Sequence, residues 1–161
     1  MGSQADQAIA ELDATLAEVN RAARALPADA LRYAPGGDEW PIDWILRHIG
    51  TGVRYRVDLE LARSEGRIDP SLFGRYHEIV KSATGRDVES ILNDVAGDFR
   101  ALQDQLRGRS DESLAERFTI TMPSGRQLEV AAADGSASAA NHTREHLAQI
   151  EDWLARRAQP A

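Results

Sequence analysis

The stretch Asn141-His-Thr-Arg-Glu-His-Leu-Ala-Gln-Ile-Glu-Asp-Trp153 is the last strongly helical segment of the chain. His142, His146, Ile150 and Trp153 follow one another at steps of four, four and three residues, so they share one face of a helix. Because Ile150 and Trp153 are apolar, this face should pack inward and bring both imidazoles with it. Side chains four residues apart on a helix are neighbours, about 5–6 Å apart at Cβ. Two imidazoles at this spacing can chelate one divalent metal ion.

Three earlier segments also repeat apolar residues at steps of three and four, which predicts amphipathic helices. They run from Ile9 to Leu26 with a stop near Pro27, from Pro41 towards Leu61, and from Val88 to Leu106 with an end near Gly108. With a last helix over roughly 138–157, the pattern predicts an all-α fold, a four-helix bundle. A chain of 161 residues is most simply one domain, residues 1–161.

The connections between the helices differ in character. Gly66, Pro70 and Gly74 interrupt residues 64–84, which we interpret as a long irregular connection rather than a fifth long helix. Its length permits a crossover between the second and third helices. Residues 118–122 and 126–130 are rich in β-formers and flank Pro123-Ser-Gly125, which predicts a short β-hairpin before the last helix.

Composition excludes several classes of function. The net charge is -7 and no cluster of basic residues offsets it, so we expect no nucleic-acid partner. No apolar stretch approaches the ~20 residues that cross a bilayer, and the first residues lack the pattern of a signal peptide. The chain has no cysteine, hence no disulfide and no thiol nucleophile of its own. We expect a cytoplasmic protein that binds no membrane.

A third histidine falls on an inward face. His48 follows Ile45 by three residues and precedes Gly52 by four on the second predicted helix. Three histidines facing one interior would form a metal site with open positions, the arrangement of catalytic zinc sites. The alternative is that each is a hydrogen-bonded core residue. The remaining histidine, His77, lies in the irregular connection, where we expect a loop or the rim of a pocket.

One protease pattern is matched only formally. His142-Thr-Arg-Glu-His146 fits H-x-x-E-H of inverted zinc proteases, but those enzymes need a further acidic ligand well downstream. Only 15 residues follow His146, so a peptidase is not expected. Glu145 is interpreted as a solvated helix charge, with a role beside a metal or as a general base left as the alternative.

Two motifs resemble the DinB-like superfamily. Glu39-Trp-Pro-Ile-Asp-Trp-Ile-Leu-Arg-His-Ile-Gly50 is similar to its second-helix motif, a tryptophan followed by a helix with a metal-binding histidine. Residues 141–150 resemble its final-helix signature H-x-x-x-H-x-x-Q-I, and Met122-Pro-Ser-Gly125 resembles the hairpin that precedes it. Many members have serine where this chain has Pro41, which the first turn of a helix tolerates.

The resemblance implies a bundle of up-down-down-up topology in which His48, His142 and His146 bind a divalent metal ion, zinc or nickel. Members include S-transferases and isomerases that use a low-molecular-weight thiol such as mycothiol or bacillithiol, and metal-dependent hydrolases. It therefore implies a thiol S-transferase acting on a small electrophile, with the thiol imported. A hydrolase of the same fold and a non-catalytic bundle that binds metal or a small ligand remain alternatives. A homodimer is compatible, because relatives often dimerise.

Overall fold

The computed structural model describes residues 2–160. Within that range the chain forms helices, a 3-10 turn (Ala28–Ala30) and one two-stranded antiparallel sheet. In chain order, the helices and strands are α1 (Gln4–Arg24), α2 (Ile42–Leu61), α3 (Leu72–Lys81), α4 (Val88–Leu106), α5 (Asp111–Ala115), β1 (Phe118–Thr121), β2 (Gln127–Val130) and α6 (Ala132–Arg157). The four long helices α1, α2, α4 and α6 form the bundle, and the fold is all-α with a short hairpin, as predicted.

Contacts between side chains give the directions of the first three bundle helices. Helix α1 is antiparallel to α4, because its contacts pair Asp13 with Gln103 and Arg24 with Glu89. Helix α2 is parallel to α4, because its contacts pair Arg47 with Asp98 and Val57 with Gln105. The chain therefore runs up in α1 and down in both α2 and α4.

Helix α6 runs in the direction of α1 and opposite to α2. Its early residue Ser138 accepts hydrogen bonds from Arg56, late in α2, and its later residue His142 contacts the earlier His48. The order is thus up-down-down-up, as the family resemblance implies. Helix α2 packs against both α4 and α6, so it contributes to both the core and the histidine cluster.

The predicted apolar stripes meet in the centre of the bundle. The largest side chains with almost no exposed surface include Leu12, Ile42, Ile45, Ile49, Ile91 and Phe99. Each lies on a stripe of period three and four that the sequence shows, so burial of apolar area explains why these segments are helices. Of the residues described, no helix combines the length and apolarity needed to cross a membrane.

Residues 64–84 were predicted to be an irregular connection rather than a fifth long helix, and this prediction missed the ten-residue helix α3. Helix α3 forms there because Leu72, Tyr76 and Val80 follow at steps of four and lie along one face. Leu72 packs in a second apolar cluster with Leu59 and Ile68. Gly74 lies inside α3 with open space around it, so it lowers helix propensity without preventing the helix.

Two further differences concern segments with few large apolar residues. Helix α6 begins at Ala132 rather than near 138, because small residues let this turn pack closely against α2. Gly135, for example, faces the aliphatic stem of Arg56. Helix α5 was not predicted; it is one short turn capped by Ser110, with Leu114 fully buried. The hairpin lies where it was expected, with Phe118 opposite Val130.

A buried ion pair joins α2 to α4. Arg47 Nη1 donates to Asp98 Oδ2 at 2.8 Å, and the two side chains are only 8% and 11% exposed. Burial raises the pKa of Asp98, and the hydrogen bond from Arg47 opposes this rise. Gly50 makes room for the pair, because a Cβ there would lie 2.5 Å from Arg47 Nη1 and 2.6 Å from Asp98 Oδ2. The pair therefore needs a glycine on α2.

We predict that Arg47→Met lowers the free energy of unfolding by about 3–5 kcal/mol, because it leaves Asp98 buried without its main partner. The double variant Arg47→Met/Asp98→Leu should recover most of that loss. Urea unfolding followed by circular dichroism measures both. The exposed pair Arg24–Glu89, which joins α1 to α4, is the control and should give a much smaller change. The prediction would be contradicted if the double variant lost as much free energy of unfolding as the two single variants lose together.

Candidate metal centre

The structure brings the three predicted histidines together between α2 and α6. His142 Nε2 lies 3.2 Å from His48 Nε2 and 3.1 Å from His146 Nε2. One ring nitrogen from each residue lies within 4.8 Å of the others, and all three residues are half-buried. The rings stand nearly perpendicular to one another, with interplanar angles of 70°, 86° and 76°. The Nε2 atoms of His48 and His146 thus both lie close to that of His142.

Gly52 makes this approach possible. A Cβ at position 52 would lie 2.3 Å from His142 Cε1 and 2.6 Å from His142 Nδ1, closer than van der Waals contact permits. Gly52 lies one helical turn after His48 on α2, so the ring of His142 fills the space where a side chain would be. The absent side chain is what allows an imidazole of α6 to reach α2.

Hydrogen bonds orient two of the three rings. His146 Nδ1 lies 2.8 Å from Gln149 Oε1, and because an amide oxygen only accepts, the proton is on Nδ1. The Thr51 hydroxyl donates to the His48 carbonyl at 3.1 Å, which leaves its oxygen to accept from His48 Nδ1 at 3.3 Å. In both residues Nε2 then carries a lone pair that faces His142 Nε2. Such bonds to the distal nitrogen are typical of metal-binding histidines.

The protonation of the cluster favours a cation at its centre. Burial, together with a smaller effect of the neighbouring His146, lowers the pKa of His48 to about 4 and that of His142 to about 3. Neutral imidazole is the form that binds metal. Lone pairs of His48 and His146 both face His142 Nε2, and His142 Nδ1 is buried without a hydrogen-bond partner among the described residues. A cation would satisfy the converging lone pairs.

The donor set and its dimensions fit a divalent transition metal. Imidazole nitrogen suits zinc and nickel, and a Zn–N distance of about 2.0–2.1 Å implies neighbouring nitrogens about 2.9–3.4 Å apart. The observed separations of 3.2 and 3.1 Å fall in that range. The three histidines could therefore hold a metal ion with little movement. That they do so remains a prediction.

A cavity of about 280 Å³ opens beside the cluster. His48 and His142 form part of its wall, and the rest is mostly aromatic and apolar. Helix α3 supplies one side, with Phe73, Tyr76 and Val80. The unexpected helix is therefore the element that encloses the space next to the histidines.

The other residues singled out in the sequence lie in different places. His77 is on α3 rather than in a loop, is exposed, and lines the cavity rim. Glu145 is exposed, as expected of a solvated helix charge. Trp153 is buried, whereas Trp40 packs on the core, lines the cavity and meets the His48 ring edge-on at 5.3 Å between centroids.

Sequence reasoning missed the residues that orient the histidines. Thr51 follows His48 by three residues, and Gln149 follows His146 by three, so each partner lies one turn further on its own helix. This shared spacing is a signal that could have identified both. Arg56, which also lines the cavity, follows His48 by two steps of four residues, whereas Tyr76 gave no such signal.

Residues 11–150 match the sequence profile of the DinB superfamily. This chain belongs to the DinB superfamily. A comparison with curated proteins gave no match.

Solved structures share the DinB-like fold at low sequence identity. YfiT from Bacillus subtilis, described as a probable metal-dependent hydrolase with an unusual four-helix bundle topology, superposes with a TM-score of 0.74 at 16% identity, over 97% of this chain and 89% of YfiT. A mycothiol-dependent maleylpyruvate isomerase gives a TM-score of 0.66 at 11% identity and covers 93% of this chain. This chain spans only 63% of the isomerase.

We predict that Gly52→Ala weakens metal binding by displacing His142, because the new methyl group would overlap its ring. Zinc affinity measured by competition with a chromogenic chelator should fall by at least about tenfold, the range seen when residues that orient metal ligands are altered. Gly97→Ala is the matched control: Gly97 lies in α4 with nothing within 4 Å of the added carbon. Equal zinc affinity in both variants would contradict the proposed role of Gly52.

We predict that the metal-free protein loses stability as pH falls from 6.5 towards 4. The pKa values of His48 and His142 are lowered to about 4 and about 3 in the folded state, against 6.5 for a free histidine. The unfolded chain therefore takes up these protons first, so acid favours unfolding. Urea unfolding at pH 7.5 and pH 5.0 should show a larger loss for the wild type than for His48→Gln/His142→Gln. His77→Gln, at an exposed site, is the control, and equal losses in all three proteins would contradict the argument.

Proposed function

We propose that this protein is a metal-dependent enzyme that transfers a small-molecule thiol to a small electrophile. His48, His142 and His146 would hold the metal ion, zinc or nickel. One observation supports this most strongly: ring nitrogens of three histidines come together, and two of these histidines line an apolar cavity. A divalent ion there would supply Lewis acidity, which favours the deprotonated, reactive form of a bound thiol or water molecule.

Beyond holding the ion, the chain's own residues have two tasks in this reaction. Thr51 and Gln149 hold two imidazoles in the tautomer that presents Nε2. Trp40, Tyr55 and Phe73 line the cavity and would give the substrate apolar surface to pack against. No residue supplies the sulfur, because the chain has no cysteine. The thiol must therefore come from a cosubstrate, for which mycothiol, used by the structurally similar isomerase, is the first candidate.

The residues around the cavity favour thiol transfer over hydrolysis. Among the described residues, no aspartate or glutamate lines the cavity. In thiol transfer by substitution, the S–H proton passes to solvent, the thiolate forms a C–S bond, and the bond from that carbon to an anionic leaving group breaks. No proton has to be delivered to the leaving group, so the main task of the protein is to stabilise the thiolate. Hydrolysis of an amide also needs a proton delivered to the leaving group, and no cavity carboxyl group is available to deliver it.

A metal-dependent hydrolase is the second candidate. This candidate is supported by the structural similarity to YfiT, which is described as a probable metal-dependent hydrolase. The similarity covers most of the YfiT chain. His77, at the rim of the cavity, is the side chain that could deliver a proton. The same three histidines would hold the ion in either reaction.

We predict about one metal ion per chain in protein purified without a polyhistidine tag, measured by elemental analysis. His48→Ala and His146→Ala should lose the metal, whereas His77→Ala should keep it, because His77 lies outside the cluster. The metal-loaded wild type should accelerate conjugation of mycothiol or bacillithiol to monochlorobimane, and the two cluster variants should not.

Other outcomes separate the alternatives. Metal without conjugation, but with ester or amide hydrolysis that His142→Ala abolishes, would favour the hydrolase. Metal with neither activity would indicate a non-catalytic metal-binding bundle. Absence of metal after incubation with zinc or nickel would overturn the proposal and leave the histidines as core residues.

A further inference from the structure

Arg56 lies on the same face of α2 as the histidine cluster. His48, Gly52 and Arg56 follow at steps of four residues, so they form one line along the helix. Arg56 lines the cavity together with His48 and His142. Its charge acts on both, since it contributes to the lowered pKa of each histidine. A cationic group therefore borders the same cavity as the candidate metal site.

The hydrogen bonds of Arg56 hold its guanidinium in place but do not use all its donors. Nη1 donates to the Gly52 carbonyl at 2.7 Å, while Nε and Nη2 donate to Ser138 Oγ at 3.3 and 2.6 Å. A guanidinium has five N–H donors, so two are left for another partner. The group is thus fixed between α2 and α6 with donors to spare.

No carboxylate neutralises this arginine within the described part of the chain. Arg47, on the same helix, pairs with Asp98, but Arg56 has no carboxylate oxygen within the 4.0 Å of an ion pair. Asp58, on the same helix, accepts a hydrogen bond from the Tyr76 hydroxyl. Burial lowers the pKa of Arg56, and only Tyr55 and Tyr76 act in the opposite direction, in favour of its charged form.

An unneutralised, partly buried charge is unfavourable for stability, and the bonds to Gly52 and Ser138 do not neutralise it. An anionic ligand that pairs with Arg56 would therefore explain why a charged side chain is present at this position. Guanidinium groups match the two oxygens of a carboxylate. The cavity lining includes one arginine and no lysine, and the rest of it is largely aromatic and apolar. Such a cavity suits a ligand that carries one negative charge and is otherwise apolar.

We propose that Arg56 binds the carboxylate of a small ligand whose apolar body fills the cavity against Trp40, Tyr55 and Phe73. The volume of about 280 Å³ admits a ligand about the size of a substituted benzoate and little more. That this ligand is the electrophilic substrate rests on the proposed function, whereas the binding itself does not. Arg56 is then the residue that selects anionic substrates.

The test compares benzoate with benzamide, which have similar shapes and differ in charge. Each is titrated into ¹⁵N-labelled protein, both with its metal and after chelation, and dissociation constants are taken from amide chemical shifts. Wild-type protein should bind benzoate at least about tenfold more tightly than benzamide, as expected for charge-assisted hydrogen bonds. Arg56→Gln should abolish this preference in both metal states.

Arg54→Gln is the matched control, because it removes the same charge from α2 but at a residue that faces Asp98. It should keep the preference for benzoate. Arg56→Met, which keeps the aliphatic stem, replaces Arg56→Gln if that variant does not fold. Equal binding of benzoate and benzamide by the wild type, or a preference that survives loss of Arg56, would overturn the proposal, as would tighter binding of phenyl phosphate than of benzoate.

The design separates this inference from the proposed function. Benzoate binding needs neither turnover nor metal, so a protein without thiol transfer can still show the preference. Conversely, a protein that transfers thiols with no preference for benzoate refutes the role of Arg56 alone.

Discussion

The structure depends on how closely α2 approaches its two neighbours. Gly50 and Gly52 lie two residues apart on this helix, and because each lacks a side chain, a polar group from another helix occupies the space. On one side the Arg47–Asp98 ion pair fits against Gly50, and on the other the ring of His142 fits against Gly52. One glycine serves the core and the other serves the candidate site, although glycine lowers helix stability.

The topology explains why the site lies where it does. In an up-down-down-up bundle α2 and α6 run antiparallel, so the middle of α2 meets the middle of α6, and the three imidazoles come together there. The two parallel helices α2 and α4 need a long connection. That connection contains α3, which forms one wall of the cavity. The unusual order of the helices thus supplies both the cluster and its enclosure.

Most of the fold followed from the sequence because long apolar stripes are strong signals. The stripes of α1, α2 and α4 and the hairpin around Pro123-Ser-Gly125 were predicted close to their observed bounds. Helix α3 was missed because Gly66, Pro70 and Gly74 outweighed a stripe of only three residues. The start of α6 was missed because small residues, which pack by close approach, leave no hydrophobic pattern.

The histidines of the candidate site were predicted from the sequence, but the direction of Arg56 was not. Spacing along one helix placed His142 and His146 on a shared face, but the direction of Arg56 into the cavity depends on its contact with Ser138 on α6. Contacts between helices are tertiary information that one sequence does not contain. The DinB-like motifs supplied the link between His48 and the last helix.

The separation of the three histidines along the chain has a consequence for folding. His48 and His142 are 94 residues apart, so an ion shared between them would close a long loop, as a disulfide does, and restrict the unfolded chain. Since only the closed bundle presents all three nitrogens, ion binding and folding would be coupled equilibria. The amount of folded protein in a cell would then rise and fall with the supply of the metal.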